Sequence, residues 1–262
     1  MSTENLLPEE RIKQLEKELE KTTDTLNNYK REQEEFILIA SHDLQAPLRK
    51  LSTFVERLTN KFKELPEEAK TYTERIQSAV TNMRSLIDGL SSLSEVTEGT
   101  GKFQKCDLNE VLQDVLKEIQ PEDKVSVTAS TLPVIEGNCT QLRHLFQNLI
   151  DNAIKFKKSD IPLQIAVDTE EITDEEKKKF DLQSERRYHK IGVTDHGIGF
   201  EDQYSEKIFL PFQRLHGKSE YEGNGLGLAI CKKIAEKHNG FIYAKGSNSG
   251  ALFILILPET SN

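Results

Sequence analysis

Apolar positions recur in three long stripes over the first part of the chain. From Ile12 to Ala40, positions 12, 15, 19, 22, 26, 29, 33, 36 and 40 alternate steps of three and four, the spacing of a heptad seam. Thr22 and Gln33 weaken that seam, so two such helices wound together are more stable than one, and the pattern predicts a parallel dimer. A second stripe, Leu44, Leu48, Leu51, Val55, Leu58, Phe62 and Leu65, is stopped by Pro66. A third runs through Ala69, Tyr72, Ile76, Ala79, Met83, Leu86, Leu90 and Leu93 and ends at Gly99 and Gly101. The two stripes predict antiparallel helices joined by a short turn. A hairpin with one apolar seam per helix leaves that seam open, whereas two hairpins seal it in a four-helix bundle, so dimerisation is expected from both patterns.

After Gly101 the pattern changes. An amphipathic helix is predicted from about Asp107 to Ile119, a strand over Val125–Ala129, and a helix from about Cys139 to Phe156 with Asn138 and Gln141 placed as a capping box. Leu163–Val167, Lys190–Thr194, Phe241–Ala244 and Leu252–Leu257 read as strands, and Leu226–Lys237 as a helix. The charged stretch Glu170–Arg187 reads as a mobile insertion between two strands. The fold class is α+β: a coiled coil over residues 1–36, a helical hairpin over 37–100, and an α/β sandwich over 101–262.

Composition narrows the function classes. With 35 Lys and Arg against 44 Asp and Glu, the net charge of -9 supplies no global field for a polyanion, so nucleic acid is not an expected partner. Cys106, Cys139 and Cys231 are odd in number, far apart and without CxxC spacing, so no disulfide framework or zinc site is expected and a reducing, cytoplasmic compartment fits. The longest apolar run, Ala251–Leu257, falls far short of the roughly 20 residues a membrane span needs, and the acidic, polar N-terminus does not read as a signal peptide.

Four constellations carry candidate chemistry. His42 lies about 200° round its helix from Leu44, pointing to water. Most exposed histidines are plain surface residues, but Asp43 can hold one ring nitrogen as a donor and leave the other as a nucleophile. Pro47 removes a helix hydrogen bond nearby and is expected to bend the axis. On the helix Leu142–Phe156, Asn148, Asn152 and Lys155 fall within about 60° of one another, on a face apart from the apolar stripe Leu142, Leu145, Phe146, Leu149, Ala153 and Phe156. Two amides and an ammonium there suit a hydrated magnesium ion and a triphosphate, although a solvated polar face is the plain alternative. Asp195-His196-Gly197-Ile198-Gly199 ends a predicted strand, where a carboxylate can accept from an exocyclic amine such as that of adenine. Gly223-Asn224-Gly225-Leu226-Gly227-Leu228 leads into a helix whose free N–H groups can face phosphate, without the strand and acidic partner of a dinucleotide fingerprint.

Together these residues resemble a known family. Ser41 to Leu48 resembles the H-box of two-component sensor histidine kinases, Leu145 to Phe156 their N-box, Asp195 to Gly199 the G1 box, Phe209 to Arg214 the F-box, and Gly223 to Leu228 the G2 box. All five stand in family order. The resemblance implies a dimerisation and phosphotransfer hairpin followed by a Bergerat-type ATP-binding domain, working as a homodimer with ATP and Mg2+. By the same implication His42 is the phosphorylated residue, Asn152 helped by Asn148 binds magnesium, Lys155 meets phosphate and Asp195 contacts adenine. Phe156, Ile198, Asn224 and Leu226 lie in the same boxes at the nucleotide, Gly197, Gly199, Gly225 and Gly227 shape the pocket, and Arg214 begins a short lid, Leu215–Glu222, like that of phytochrome-like kinases. The implied partners are the receiver domain of a response regulator and an upstream sensor domain or protein, since the chain reads as a trimmed catalytic core or a kinase fed by another chain. Three departures stand out: Ala46 replaces a Thr or Asn, which implies weak phosphatase activity, while His196 replaces an Asn and Asn224 a Thr, which implies altered affinity. The alternatives are a dimeric nucleotide-binding scaffold without phosphotransfer and a Bergerat-fold ATPase of the chaperone or mismatch-repair kind; the H-box hairpin has no place in the second.

Overall fold

The computed structural model describes residues 8–62, 65–98, 102–119, 125–159, 161–180, 182, 186–215, 221 and 223–259. The expected turn at 63–64, the hinge at 99–101 and most of the short lid, 216–220 and 222, lie outside them.

Helix α1, Pro8–Lys61, is a single helix of 54 residues that carries both the coil seam and the H-box stripe. It runs unbroken through residues 36 and 37 and through Pro47. Helix α2, Glu67–Glu98, returns alongside it. Leu48, Val80 and Val96 are buried, but Leu44, Leu51, Leu58, Tyr72, Ile76 and Met83 stay 42–56% exposed in the single chain. The hairpin therefore leaves much of its predicted seam uncovered.

The second part holds β1 (Gln104–Asp107), α3 (Leu108–Ile119), β2 (Val125–Ala129), β3 (Val134–Gly137) and α4 (Cys139–Lys155). These are followed by β4 (Leu163–Glu171), α5 (Asp174–Lys179), β5 (Tyr188–Asp195), α6 (Gly227–Lys237), β6 (Phe241–Ser247) and β7 (Gly250–Pro258). Five strands form one sheet in the order β2-β4-β5-β7-β6, with only β2 and β4 parallel. Leu163, Ile165 and Val167 of β4 and Ile191 and Val193 of β5 alternate inward, as a half-buried strand requires. They share one core with Val111, Leu112 and Val115 of α3, Leu142, Leu145, Phe146 and Leu149 of α4, and Ile230 and Ile234 of α6.

Two expectations are corrected. The stretch read as a mobile insertion, Glu170–Arg187, carries regular structure among its described residues: β4 extends to Glu171, and α5 follows with a complete capping box between Thr173 and Glu176. Lys190 holds Glu170 and Glu176, each at 2.9 Å, and the Phe180 ring packs 4.9 Å from both Phe241 and Tyr243. A few anchors pin a segment whose average composition reads as solvent-exposed. The second correction concerns cysteine: Cys106 and Cys139 form a disulfide. Antiparallel pairing of β1 with β3 sets Cys106 opposite Ile135, and α4 begins at Cys139 just past β3, so residues 33 apart in sequence meet. Spacing arithmetic does not see that register.

The N-terminus of α4 is held by an unusual pair. The Asn138 side chain accepts from the backbone N–H of Thr140 and Gln141, as an N-cap does. The expected return bond from Gln141 is not made, because the Asn138 N–H donates to Nε2 of His238 at 2.9 Å instead. The other ring nitrogen, Nδ1, donates to Ile234 O at 2.8 Å, so the buried imidazole is used as a neutral donor and acceptor at once.

Burial holds the His238 imidazole below its ordinary pKa, and burial does the same for His144 and His189. The unfolded chain then takes up protons first. Stability is full above about pH 6.5, the ordinary histidine value, and falls as pH drops below it toward the depressed folded values. Thermal unfolding followed between pH 8 and 5 is expected to show that decline. His238→Phe is expected to flatten part of it while lowering stability at pH 8 by about 1–3 kcal/mol, because the Asn138 N–H and Ile234 carbonyl lose their partner.

Candidate active site

The site has two halves on different parts of the fold. On α1, Ser41 and Leu48 are buried, which sets the helix rotation and turns the intervening His42 outward. The His42 side chain is 83% exposed, with Nδ1 at 3.4 Å from Oδ1 of Asp43. That contact leaves Nε2 available. Pro47 has no N–H to give the Asp43 carbonyl four residues earlier, so the helix ladder lacks a rung one turn beyond the imidazole. Gln45 Nε2 donates to Asp88 Oδ1 of α2 at 3.0 Å, tying the two helices at this level.

The second half is a cavity of about 410 Å³ between α4, the end of β5, the segment 208–215 and the start of α6. The apolar stripe of α4 enters the core, and the opposite stripe supplies Asn148, Asp151, Asn152 and Lys155 to the cavity. Nδ2 of Asn148 is buried with no hydrogen-bond partner among the described residues. Lys155 Nζ lies 4.6 Å above the Phe156 ring, and the Tyr221 ring packs against Phe156 with centroids 4.9 Å apart and planes tilted by 52°. Burial lifts the Asp151 carboxyl above its usual range. Asp195, nearly buried at the end of β5, accepts from the N–H of Gly197 at 2.8 Å and of Ala251 at 3.3 Å. Burial raises its carboxyl also, against the lowering effect of those two N–H groups.

Asn148, Asn152, Lys155, Phe156, Asp195, Gly199, Arg214, Asn224, Gly225 and Gly227 all line this cavity. Gly197, Ile198 and Leu226 stand one step back. The Gly197 N–H fixes the Asp195 carboxylate, the Ile198 N–H donates to Phe156 O at 2.9 Å, and Leu226 is fully buried. His42 lines a separate cleft, and Asp43 touches its ring. Arg214 donates to Gly223 O at 2.8 Å and Tyr221 O at 2.5 Å, clasping the far end of the short lid. Gly225 needs its freedom, with φ +71° and the Phe212 and Gln213 backbone against its missing Cβ. Sequence reasoning missed Tyr221 and the apolar wall of Phe200, Ile208, Leu215 and Phe253, and of Ser85 on α2 it had no sign. An aromatic inside a glycine-bounded lid was the available signal for Tyr221.

Ser85 marks where the halves meet. Asn224 Nδ2 donates to Ser85 O at 2.8 Å, while Asn224 Oδ1 accepts from the Leu226 N–H at 2.9 Å. A Cβ on Gly89, one turn along α2, would lie 2.7 Å from Leu226 Cδ1 and 2.8 Å from Asn224 Nδ2. Glycine within a helix is unfavourable by about 1 kcal/mol relative to alanine, and here it admits the other half.

Comparison with known proteins agrees on both parts. Residues 137–261 match the family described as histidine kinase-, DNA gyrase B-, and HSP90-like ATPase, and residues 32–99 match the His Kinase A (phospho-acceptor) domain. The chain is 35% identical over 246 residues to cyanobacterial phytochrome A of Nostoc sp., covering 92% of this chain and 30% of that protein. It is 32% identical over 256 residues to the phytochrome-like protein Cph1 of Synechocystis sp., covering 95% of this chain and 31% of that protein. The chain thus spans under a third of these relatives. Full-length ShkA in complex with AMPPNP has the same fold over 87% of this chain and 46% of its own, with a TM-score of 0.63 at 21% identity. Histidine kinase ThkA in complex with response regulator protein TrrA matches over 90% and 66%, with a TM-score of 0.54 at 19% identity.

Gly89→Ala is expected to strengthen α2 by helix propensity and yet loosen its contact with the start of α6. Hydrogen exchange at the Leu226 amide should quicken while exchange in β7 stays unchanged. Unaltered exchange at Leu226 would rule out a close-packed contact.

Proposed function

We propose that this chain, which belongs to the two-component sensor histidine kinases, transfers the γ-phosphoryl group of ATP to His42 and passes it to an aspartate on a response-regulator receiver domain. One observation carries the reading. An exposed imidazole held by a carboxylate stands on the hairpin, and α2 of that hairpin also contributes Ser85 to a cavity lined by two amides, an ammonium and a buried carboxylate.

The cavity's chemistry suits ATP. The Asp195 carboxylate accepts from the exocyclic amine of adenine, with the apolar wall of Ile208, Leu215 and Phe253 beside the base. Lys155 and the free N–H groups at the start of α6 face phosphate charge. Asn148 and Asn152 both line the cavity and fit a hard cation, because amide carbonyl oxygens are among the ligands magnesium takes. Magnesium, when bound, neutralises charge on the phosphate oxygens.

The transfer is an in-line displacement. The Nε2 lone pair of neutral His42 attacks the γ-phosphorus, the bond to the bridging oxygen breaks, and ADP leaves with that electron pair. Asp43 holds the Nδ1 proton and stabilises the positive ring as the N–P bond forms. The exposed seam of the hairpin and the exposed Ile12, Leu15, Leu19 and Leu26 of α1 support a homodimer through a four-helix bundle and coiled coil. Among the described residues no helix is long and apolar enough to cross a membrane.

His42→Ala is expected to abolish acid-labile label from γ-labelled ATP while nucleotide affinity stays within twofold; label retained on the variant would overturn the assignment. Acidification is expected to weaken ATP binding at a higher pH than an ordinary carboxylate would, since burial raises Asp195. Asp195→Asn should lower affinity at least tenfold at pH 8, as about 1.5–3 kcal/mol rides on a hydrogen bond to a charged group. It should also remove that pH step, read with a fluorescent adenine nucleotide.

A further inference from the structure

We propose that Arg49 and Arg84 form an oxyanion seat that holds the phosphoryl group on His42. The inference rests on the reading of His42 as phosphoryl acceptor and adds a second anion site, away from the ATP cavity. His42, Gln45, Ala46, Arg49, Arg84 and Asp88 line one cleft of about 670 Å³ between α1 and α2. Positions 42, 45, 46 and 49 share a face of α1 by their spacing, and Arg84 and Asp88 stand one turn apart on α2.

The charges in this cleft are not mutually satisfied. Asp88 is engaged by Gln45 at 3.0 Å, and Asp43 by the His42 ring. Among the described residues the side chains of Arg49 and Arg84 make no ion pair and no hydrogen bond, whereas Lys70 of the same hairpin pairs with Glu67. Two guanidiniums without an ion pair line the cleft that holds the nucleophile, beside the single carboxylate of Asp88. Ala46, which lines the same cleft, contributes only a methyl group there.

A phosphoryl group on Nε2 brings two negative charges and three acceptor oxygens, and the guanidinium fork matches such oxygens in pairs. In the transfer the N–P bond forms as the bond to ADP breaks; the arginines exchange no proton and supply only positive charge. Ser85, adjacent to Arg84 on α2, lines the ATP cavity, so α2 presents neighbouring residues to both anion sites.

The test does not need ATP. Potassium phosphoramidate phosphorylates exposed histidines directly, and the resonance missing in His42→Ala assigns the His42 signal in the 31P spectrum of the full chain. The seat lowers the midpoint of that phosphoryl titration relative to free phosphohistidine by about one pH unit. The midpoint is expected to return toward the free value in R49Q/R84Q and to stay low in R49K/R84K. Equal midpoints in wild type and R49Q/R84Q overturn the proposal, even if transfer to a receiver domain slows, since the arginines then serve the partner. Labelling of wild type from γ-labelled ATP is scored separately, so loss of the kinase reading and loss of the seat give different results.

Discussion

Everything at the nucleotide cavity depends on the rotation of α4 about its own axis. Leu142, Leu145, Phe146, Leu149 and Ala153 are locked into the core, and that leaves one angular setting for Asn148, Asn152 and Lys155. A helix that buries one stripe against a sheet has no freedom to turn the other. The aim of the amides is thus a by-product of apolar packing, and the Asn138–His238 pair fixes where the helix begins. The same logic acts on α1, where buried Ser41 and Leu48 turn His42 outward.

Because the reactive groups are set by two separate helices, what remains to be arranged is the encounter between them. The contact of Asn224 and Leu226 with Ser85 and Gly89 gives that encounter a defined surface. Asn224 stands where the family usually has Thr, and its side chain both bridges to α2 and caps the Leu226 N–H. The departure in sequence falls on the joint rather than deep in the cavity.

Periodicity made much of this legible. The stripes of α1, α2 and α4, and the alternation in β4 and β5, are local consequences of burial, and local patterns are readable from one chain. The motifs located the cavity lining because each lies on an element whose rotation the apolar residues dictate. What escaped was non-local. The short pair β1–β3 exists through register, and it alone brings Cys106 to Cys139. The Gln141 return bond was displaced by His238, 100 residues from Asn138. The segment after Glu170 was misread because its order comes from Phe180 and Lys190, two anchors hidden by charged surroundings.

The unbroken span of α1 has a mechanical consequence. A 54-residue helix is a rod of roughly 80 Å at 1.5 Å per residue, and it joins Pro8 to the level of His42 without a swivel. Adding one residue to such a rod swings everything upstream by about 100°, whereas adding seven nearly restores the original azimuth. Whatever is grafted ahead of this helix must therefore keep step with it. Splice lengths will sort into permissive and mute classes by their remainder on division by seven, independent of what the graft detects.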